Sequence, residues 1–581
     1  MSRPHWLDAT ELRIGLGCMR LSTDEERDEQ RAVETITAAA AAGVTVFDTA
    51  HAYGRGESEL GHNERLLARA LRGCGAGDRR IVTKGGMART GGGWFADGRA
   101  KSILRDCEAS LDALDGLQID LYLLHAPDPR TPWATSLRAL GRLLDDGLVR
   151  RVGVSNVNRT QLDEALSLIP VSAVQVALSP FADRAVRGGV VERCEAAGVA
   201  VIAHSPLGGA ERAARLARDP ALTAVAAAHG ATPAEVVLAW LLALSPTVVP
   251  IPGARRSETA RSAAGAAALA LGAAERRTLS RAFEIGGPAR RKKRTPQDDA
   301  EVVLVMGIPG AGKTRIAAEL AARGYVRLNR DERGGSLRSL AEALDDALSS
   351  GTRRVVLDNT YLTRAARSHA IEAATRHAVP VRCVWLETPL AQAQVNLVER
   401  LLDRFGALPT PAELRVLARR EPGLLLPTSQ MRALRELEPP ALDEGLSGVE
   451  HVEFARQRDA ARSRPGVFVA AAAAVGDGWR SQLAEEQRDA PLLVFDWSPD
   501  GSSDALDAAV ERVQKADATA AGALCPHGGG PPTCWCRPPL PGLLLAFARA
   551  HAVDPSRSAL VGTGPAHRTL ATTLGARYVT A

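Results

Sequence analysis

The first 254 residues alternate short runs of β-branched and aliphatic residues with longer stretches rich in Ala and Leu. Short apolar runs predict buried strands, and the longer stretches predict helices between them. Eight strands are predicted, at Arg13–Met19, Thr45–Thr49, Ile81–Lys84, Leu121–His125, Val152–Asn156, Ala173–Leu178, Ala200–Ser205 and Thr247–Pro252. Eight β/α units in about 250 residues indicate a closed parallel barrel of the TIM type.

The rest of the chain repeats the strand–helix pattern in two further blocks. A stretch that contains the basic run Arg290–Arg294 separates the barrel from the first block, and such a run is more often a solvated hinge than a nucleic-acid contact. The predicted organisation is α/β throughout: a barrel at 1–285, a linker at 286–300, a second domain at 301–457 and a third at 465–581.

Composition sets few further limits. Hydrophobic residues make up 45% of the 581 positions and charged residues 24%, as in ordinary globular proteins. The net charge of +5 is too small over this length to indicate a partner. No apolar run reaches the roughly 18–20 residues of a membrane span, and the first residues lack the apolar core of a signal peptide. The eight cysteines form no dense framework. A cytoplasmic protein without a membrane partner is therefore expected.

Polar residues at the ends of the predicted barrel strands are candidates for catalysis, because barrel enzymes carry their active sites there. Asp48 ends the second strand and Tyr53 follows it, while Lys84 and His125 end the third and fourth. A lysine ammonium beside a tyrosine is expected to lower the pKa of the phenol and to make Tyr53 a general acid. Asp48 is predicted to hold Lys84, and His125 to orient a carbonyl oxygen.

The run Gly43–Gly54, together with Val82–Lys84 and Leu123–His125, resembles the strand signatures of the aldo/keto reductase family, and the resemblance extends over residues 1–285. It implies transfer of a hydride from NADPH to a small carbonyl substrate, with Tyr53 as proton donor.

The same resemblance implies the cofactor contacts. The nicotinamide amide would be held by Ser155, Asn156 and Gln175. The pyrophosphate would be held by Ser205, Leu207 and Gly208. The adenosine phosphate would be held by Ile251, Gly253, Arg255 and Arg256. A guanidinium donates two parallel hydrogen bonds to a phosphate, so NADP(H) is expected rather than NAD.

Several positions depart from the family pattern. Leu178 replaces the tyrosine that usually stacks on the nicotinamide, and His204 stands where tyrosine is common. Arg261, Ser262 and Ala263 occupy the positions that usually hold the adenine. Two hypotheses follow: an active reductase with weakened cofactor affinity, or a barrel that binds cofactor without turnover.

The second domain opens with Val302–Thr314, a strand, a Gly-rich loop and a helix start that fit the P-loop pattern GxxxxGK[ST]. Backbone N–H groups around Gly307, Gly310 and Gly312 would surround the phosphates of ATP. Lys313 would neutralise the β- and γ-phosphate oxygens and Thr314 would bind Mg²⁺. A P-loop α/β sandwich is predicted.

The next strands of this domain end in carboxylates. Asp331 follows one strand, and a carboxylate opposite the γ-phosphate accepts the proton of an attacking hydroxyl. The triplets Asn329-Arg330-Asp331 and Asp358-Asn359-Thr360, with Ala365–Arg367 and the closing segment Pro439–Gly448, resemble the kinase domain of polynucleotide kinases.

This resemblance implies that Asp331 is the general base for a 5′-hydroxyl end of DNA or RNA. Asp358 would act near the metal or the acceptor, Arg367 would contact acceptor or phosphate, and Arg400 would serve as a lid arginine. The segment Phe405–Leu425 departs from the pattern as an insertion. A sugar or polyol kinase is the alternative, because the fold alone does not specify the acceptor.

The third domain contains Cys525, His527, Cys534 and Cys536, a donor set typical of structural zinc sites. The surrounding run Arg537–Gly542 resembles the zinc loop of haloacid-dehalogenase-like phosphatases, with Pro538 in place of the family's lysine. Alanines at 470 and 472 replace the nucleophile and the second carboxylate of that family, and Thr563 replaces a third acid. An inactive phosphatase-related domain is expected, because alanine neither attacks phosphorus nor binds Mg²⁺.

Three hypotheses for the whole chain follow. The first is an enzyme of nucleic-acid end repair with an attached carbonyl reductase. The second is a metabolic fusion of a reductase with a small-molecule kinase, and the third is a kinase with a non-catalytic barrel.

Overall fold

The computed structural model describes residues 6–74, 79–90, 93–283, 285, 300–421, 423–454, 461–476 and 478–581. The chain forms two compact units, residues 1–289 and 290–581, and each is considered separately. The predicted basic linker at 286–300 lies outside the described residues except for its last position.

The first unit is a closed barrel of eight parallel strands, as the sequence predicts. The strands are Gly15–Gly17, Val46–Asp48, Arg80–Gly85, Ile119–Leu124, Val152–Ser155, Val171–Ala177, Ala200–His204 and Val248–Ile251. They pair in chain order, and a parallel bridge between Gly17 and Gly253 joins the first strand to the last.

Helices surround the barrel, and a capping side chain precedes several of them. The α-helices are Arg20–Thr23, Glu29–Ala41, His62–Arg72, Ala100–Leu114, Trp133–Asp145, Arg159–Leu168, Arg184–Arg187, Val190–Ala197, Ala210–Leu216, Pro220–His229, Pro233–Leu244, Ser257–Gly265 and Ala273–Ala282. Thr232 and Glu235, for example, form a reciprocal capping box before a helix that is apolar on nearly every face and lies in the core.

Aliphatic side chains fill the interior of the barrel. One buried cluster contains Trp6 and Leu7 together with the strand residues Val46, Val82, Leu121, Ile202 and Val249. The indole of Trp6 donates a 2.6 Å hydrogen bond to Asp120, at the start of the fourth strand, so this N-terminal segment covers the end of the barrel opposite the polar strand ends. An antiparallel hairpin, Met87–Thr90 with Gly93–Ala96, follows the third strand at the other end.

The second unit contains two parallel sheets. The first has the strands Glu301–Met306, Val326–Asn329, Arg354–Asp358, Val381–Glu387 and Gly448–Glu453. Their spatial order is second, third, first, fourth, fifth, so the strand that leads into the Gly-rich loop is central. The accompanying helices are Lys313–Ala322, Arg330–Arg333, Leu337–Ser349, Arg364–Arg376, Leu390–Phe405, Pro411–Arg420 and Pro427–Glu436.

The second sheet has the strands Val467–Ala470, Leu492–Trp497, Ala521–Cys525, Ala559–Gly562 and Arg577–Thr580, in the order third, second, first, fourth, fifth. Its α-helices are Asp504–Gln514, Gly542–Ala550 and Pro565–Leu574. One hydrophobic cluster joins this sheet to helices of the first sheet: Leu401 and Leu414 pack in the same core as Val469 and Leu544. The two predicted C-terminal domains therefore share a core.

Among the described residues, no single helix has both the length and the hydrophobicity of a membrane span. The pair Pro220–His229 and Pro233–Leu244 reaches them only when its two helices are taken together, and these are bent by 93°.

Candidate functional site

The four predicted catalytic residues of the barrel lie together at the carboxyl ends of its strands. The Lys84 ammonium donates hydrogen bonds to Asp48 Oδ1 at 2.7 Å, to the Thr49 carbonyl at 2.8 Å and to the Tyr53 hydroxyl at 3.2 Å. The ring of His125 stands edge-on to Tyr53, with centroids 5.6 Å apart. Hydrogen bonds therefore link the Tyr53 phenol, the Lys84 ammonium and the Asp48 carboxylate in one buried group.

The expected lowering of the Tyr53 pKa is wrong. Burial raises the pKa of the Tyr53 phenol, and this effect exceeds the opposing influence of the Lys84 ammonium. For Lys84, burial works to lower the pKa, but the charge of Asp48 and contact with Tyr53 raise it overall. Tyr53 is thus a neutral phenol that retains its proton for donation, beside a lysine that stays charged.

Two histidines at this end of the barrel are held neutral. Burial, followed by the charge of Lys84, moves the pKa of His125 well below its ordinary value. The same two causes lower the pKa of His204 to about 4. The Nδ1 atom of His125 is buried and has no hydrogen-bond partner in the described part of the chain.

The hairpin supplies an aromatic side chain to the mouth of this site. Trp94 lies 6.0 Å from the Tyr53 ring and 6.2 Å from the His125 ring, and it is 41% exposed. The Arg89 guanidinium stacks over Trp94 at 4.0 Å. Sequence analysis missed both residues, because the only signal was an apolar pair, Trp94-Phe95, between a strand and a helix.

The residues predicted to hold the nicotinamide lie beside the catalytic group. The Gln175 amide donates a 2.6 Å hydrogen bond to Asp48 Oδ1, and Asn156 donates to the His125 carbonyl at 3.0 Å and to Ser155 Oγ at 3.1 Å. Leu178, at the position expected for a stacking ring, is fully buried. The three polar side chains and the catalytic residues form one hydrogen-bonded network.

The other predicted cofactor residues follow the seventh and eighth strands. Ser205 has a φ of +52°, and the N–H of Gly208 donates to its carbonyl at 2.8 Å in a tight turn that also contains Leu207. Gly253, after Ile251, makes the bridge that closes the barrel.

A basic cavity of about 250 Å³ lies next to this segment. Arg255 and Arg256 line it as predicted, and Arg20, Arg27 and Arg31, which sequence analysis did not single out, line it as well. Arg255 is paired with Asp24 at 2.9 Å, whereas Arg256 has no ion-pair partner among the described residues.

Of the positions that usually hold the adenine, Ser262 donates a 2.6 Å hydrogen bond to Glu235 and Ala263 is buried. The side chains of Ser262 and Ala263 thus contribute to packing between helices.

The Gly-rich loop of the second unit has the backbone of a phosphate cradle. Gly310 and Gly312 have φ values of +86° and +94°, which glycine adopts without strain. A Cβ at Gly310 would also clash with the carbonyl of Ala393. The Lys313 ammonium donates to the carbonyls of Gly307 and Ile308 at 3.1 and 3.0 Å, and burial lowers its pKa to about 8.

The loop opens into a cavity of about 470 Å³. The fold brings five of the predicted kinase residues together, because all five line this cavity: Lys313, Thr314, Asp331, Asp358 and Arg400. Arg400, the predicted lid arginine, is one of these lining residues.

Asp358 is fixed in the cavity by two neighbours that sequence analysis did not assign. Arg327 donates to its Oδ2 at 2.6 Å and Asn329 at 3.0 Å. The Asn329 side chain also accepts hydrogen bonds from the N–H groups of Asp331 and Glu332, so it caps the short helix that carries Asp331. The Asn in the Asn-Arg-Asp triplet thus links the two carboxylates.

The prediction that Arg367 contacts acceptor or phosphate is wrong. Its guanidinium is fully buried, forms an ion pair with Glu444 at 2.6 Å, and donates to the carbonyls of Tyr361 and Glu438. A buried charge with all its donors satisfied in this way is a structural link between the helix Arg364–Arg376 and the closing segment.

A second cavity, of about 420 Å³, adjoins the phosphate cavity, and Gly312 lines both. Apolar side chains from the first sheet and its helices line part of it, including Leu386, Val395 and Val452. Leu545 and the segment from Asp554 to Ser556, which belong to the second sheet, line another part.

Cys525, His527, Cys534 and Cys536 converge so that their donor atoms lie within 4.8 Å of one another. The sulfur atoms of Cys525 and Cys534 are 3.7 Å apart, and His527 Nδ1 lies 3.1 Å from Cys536 Sγ. A tetrahedral ion with metal–sulfur distances of about 2.3 Å has donor–donor edges of roughly 3.8 Å. The four residues could therefore hold a metal ion.

The second sheet keeps no acids at the two positions where a phosphatase of the expected type would need them. Ala470 ends its central strand and is buried, and a short helical turn from Ala471 to Ala473 follows. Asp496 accepts a hydrogen bond from the N–H of Trp497, and Asp500 accepts from Ser498 and from the N–H of Ser502. These local contacts are typical of turn aspartates.

Comparison with known proteins divides the chain as the structure does. Residues 13–282 match the model of the aldo/keto reductase family, and residues 302–422 match an AAA domain model. A probable aldo-keto reductase of Glycine max is 29% identical over 309 residues, which cover 48% of this chain and 87% of that protein. An uncharacterized oxidoreductase of Schizosaccharomyces pombe is 32% identical over 250 residues, covering 42% of this chain and 76% of the relative.

Among solved structures, an aldo/keto reductase from Klebsiella pneumoniae in complex with NADP and acetate is 26% identical, with a TM-score of 0.41. The match covers 48% of this chain and 93% of that one. The family match, the sequence identity to relatives and the buried Tyr53–Lys84–Asp48 group support the same assignment. Through residues 13–282, this chain belongs to the aldo/keto reductase family.

Proposed function

We propose that this oxidoreductase is bifunctional: its barrel reduces a small carbonyl compound with NADPH, and its second unit transfers the γ-phosphoryl group of ATP to the 5′-hydroxyl of a polynucleotide. The reductase activity rests on the buried Tyr53–Lys84–Asp48 group. The kinase activity rests on one observation, the convergence of the P-loop lysine in a single cavity with Asp358, at a strand end, and Asp331, on the short helix after another strand.

The barrel residues have defined tasks in carbonyl reduction. NADPH supplies the hydride when bound. Tyr53 keeps its proton because burial raises its pKa, so it donates that proton to the carbonyl oxygen as negative charge develops there. Lys84, 3.2 Å away, stabilises the phenolate that remains, and Asp48 keeps Lys84 in place. The neutral His125 and Trp94 bound the space in which the carbonyl is oriented.

The basic cavity supports NADP rather than NAD. Arg31, Arg255 and Arg256 line a space that lies next to the segment expected to hold the adenosine phosphate. A 2′-phosphate would receive charge-assisted hydrogen bonds from Arg256, which has no ion-pair partner among the described residues, whereas a 2′-hydroxyl carries no charge to pair with it.

The second unit has the parts that phosphoryl transfer needs. Lys313 would neutralise the β- and γ-phosphate oxygens, and Thr314 and Asp358 would hold Mg²⁺. The adjoining cavity that shares Gly312 has both charged and apolar lining residues, and its apolar part, with Leu386, Val395 and Val452, would take the base of ATP. Asp331 stands at the open side of the phosphate cavity with 47% of its side chain exposed, where it would accept the proton of an attacking hydroxyl.

The polynucleotide acceptor is supported by the sequence resemblance and by charge. Arg330 lines the cavity next to Asp331, and Arg333 is exposed on the same short helix. Two guanidinium groups beside the general base suit an acceptor that carries phosphates on its own backbone.

For the second sheet we propose a haloacid-dehalogenase-like domain that has lost phosphatase activity and keeps a structural zinc ion. The alanines in place of the carboxylates support the loss of activity, and the convergent Cys₃His set supports the metal. Zinc binding would then contribute to folding rather than to catalysis.

The decisive experiment incubates the protein with labelled ATP, Mg²⁺ and 5′-hydroxyl oligonucleotides of DNA or RNA, with Asp331→Ala as the inactive control. Label on the 5′ end that disappears in the variant is the expected result, and it also ranks the two nucleic acids. The alternative is a sugar or polyol kinase. No transfer to oligonucleotides, together with ATP turnover stimulated by a polyol, would support that alternative and contradict the end-repair proposal.

A further inference from the structure

The insertion segment, here residues 405–421 and 423–425, connects the Cys₃His loop to the phosphate cavity. Five residues of the insertion line the cavity that contains Lys313 and Asp331: Ala418, Glu421, Gly423, Leu424 and Leu425. The insertion therefore supplies one wall of the proposed ATP site. What holds this wall in place determines the shape of the cavity.

The Cys₃His loop holds it directly. Trp535, between Cys534 and Cys536, is 2% exposed, and its indole N–H donates a 3.0 Å hydrogen bond to the carbonyl of Leu425. At the other end of the insertion, Leu408 packs against the three cysteines. The loop that would wrap the metal thus contacts both ends of the insertion.

The rest of the insertion is supported by both parts of the second unit. Leu414 and Leu424 pack in the core that the second sheet shares with the helix Leu390–Phe405, and Glu421 is paired with Arg404 on that helix. The wall of the cavity therefore rests on this helix as well as on the C-terminal sheet, and the Cys₃His loop contacts both ends of the insertion.

We propose that a metal ion in the Cys₃His set fixes Trp535 so that it holds Leu425 in place, and that this contact sets the affinity of the phosphate cavity for ATP. Trp535 is then a positioning residue for the kinase, and the inactive C-terminal domain has a retained task. The inference rests on the proposed kinase function.

The structural reason is the rigidity of a four-ligand site. Trp535 has a ligand on each side, so an ion bound to the flanking cysteines restricts its backbone and orients its indole. Without the ion, four donor groups that face each other have no common partner, and the loop loses its main constraint. The hydrogen bond to Leu425 would then have to order the loop by itself.

The test compares Trp535→Phe with the wild-type protein. Phenylalanine keeps an aromatic ring and all four metal ligands but removes the indole donor. Trp133→Phe is the matched control, because the Trp133 indole also donates to a backbone carbonyl, that of Gln161 at 3.1 Å, in the barrel. Metal content, hydrogen–deuterium exchange of residues 423–426, and the Kd of a non-hydrolysable Mg²⁺–ATP analogue are measured for all three proteins.

With metal content unchanged, Trp535→Phe is expected to accelerate exchange in residues 423–426 and to raise the Kd roughly three- to tenfold, the range for one lost hydrogen bond. Removal of the metal by a chelator is expected to have at least the same effect on wild-type protein, reversed by added Zn²⁺. Trp133→Phe should change neither quantity.

Unchanged exchange and unchanged Kd in metal-loaded Trp535→Phe would overturn this inference and leave the kinase proposal intact. Wild-type protein that does not bind the ATP analogue would overturn the kinase proposal and this inference with it. The wild-type binding measurement separates the two failures.

Discussion

The Tyr53 hydroxyl accepts a 3.2 Å hydrogen bond from the Lys84 ammonium in a site that excludes solvent from both groups. Burial keeps the phenol protonated, and the lysine is ready to stabilise the anion that proton donation creates. In the proposed carbonyl reduction, this pair would supply the proton.

Tyr53→Phe removes the donated proton and is expected to lower kcat for carbonyl reduction by roughly 10²–10⁴-fold. Binding of NADPH, measured by fluorescence quenching, should change little. Tyr122→Phe is the control, because it also removes a buried phenol of the barrel, whose hydroxyl donates only to the Ile103 carbonyl at 3.3 Å. An equal kcat for wild type and Tyr53→Phe would show that Tyr53 is not the proton donor.

Arg256→Ala should weaken NADPH binding selectively. Loss of a charge-assisted contact to the 2′-phosphate is expected to raise the Kd of NADPH about tenfold or more, with little effect on NADH. Arg276→Ala, on a helix outside the basic cavity, serves as the control. A variant that loses affinity for both cofactors equally would argue against recognition of a 2′-phosphate by Arg256.

Stability of the barrel should decrease in acid because of His204. The pKa of this imidazole is about 4 in the folded chain, since burial and then Lys84 disfavour its charge, against an ordinary value of about 6.5 when unfolded. Between these values only the unfolded chain takes up the proton, so the free energy of unfolding falls as pH drops from 6.5 towards 4, by about 2–3 kcal/mol.

Calorimetry of wild type and His204→Gln between pH 4 and 7 checks this pH dependence. The variant should lose part of the slope, whereas the exposed His451→Gln in the other unit should leave it unchanged. A slope that is the same in all three proteins would contradict the assignment.

Asp331→Asn should separate ATP binding from phosphoryl transfer. The amide keeps the size of the side chain but accepts no proton, so transfer is expected to slow by roughly 10²–10⁴-fold while the Kd of Mg²⁺–ATP stays within about threefold. Glu332→Gln is the neighbouring control, because Glu332 pairs with Arg327 at 2.6 Å and does not line the cavity. Similar losses in both variants would indicate damage to the short helix rather than removal of a base.

One zinc ion per chain is expected on metal analysis, and Cys536→Ala should lose it. Cys383→Ala should retain it, because Cys383 is a buried strand residue away from the Cys₃His set. The Cys536 variant is also expected to lower the melting temperature of the second unit, since metal binding contributes to folding. Full zinc content in Cys536→Ala would exclude the proposed site.

Much of this molecule was determined by local sequence. Eight apolar runs specified the barrel strands, since a buried parallel strand needs a short continuous run of aliphatic residues. Asp48, Lys84 and His125 were found because they end such strands, and carboxyl ends of parallel strands meet at one edge. Gly310 and Gly312 were found because they fit the P-loop pattern, and their positive φ values explain why that pattern has glycine at these positions.

Only the tertiary structure decided the rest, because it depends on contacts between residues distant in the chain. The raised pKa of Tyr53 comes from burial, which the neighbouring residues in sequence do not reveal. Arg367 was misassigned because its partner Glu444 lies 77 positions further along the chain. The hydrogen bond from Trp535 to Leu425 spans 110 positions, and it joins two segments that sequence analysis had placed in separate domains. Sequence specified which groups the protein carries, and folding specified which of them are buried together.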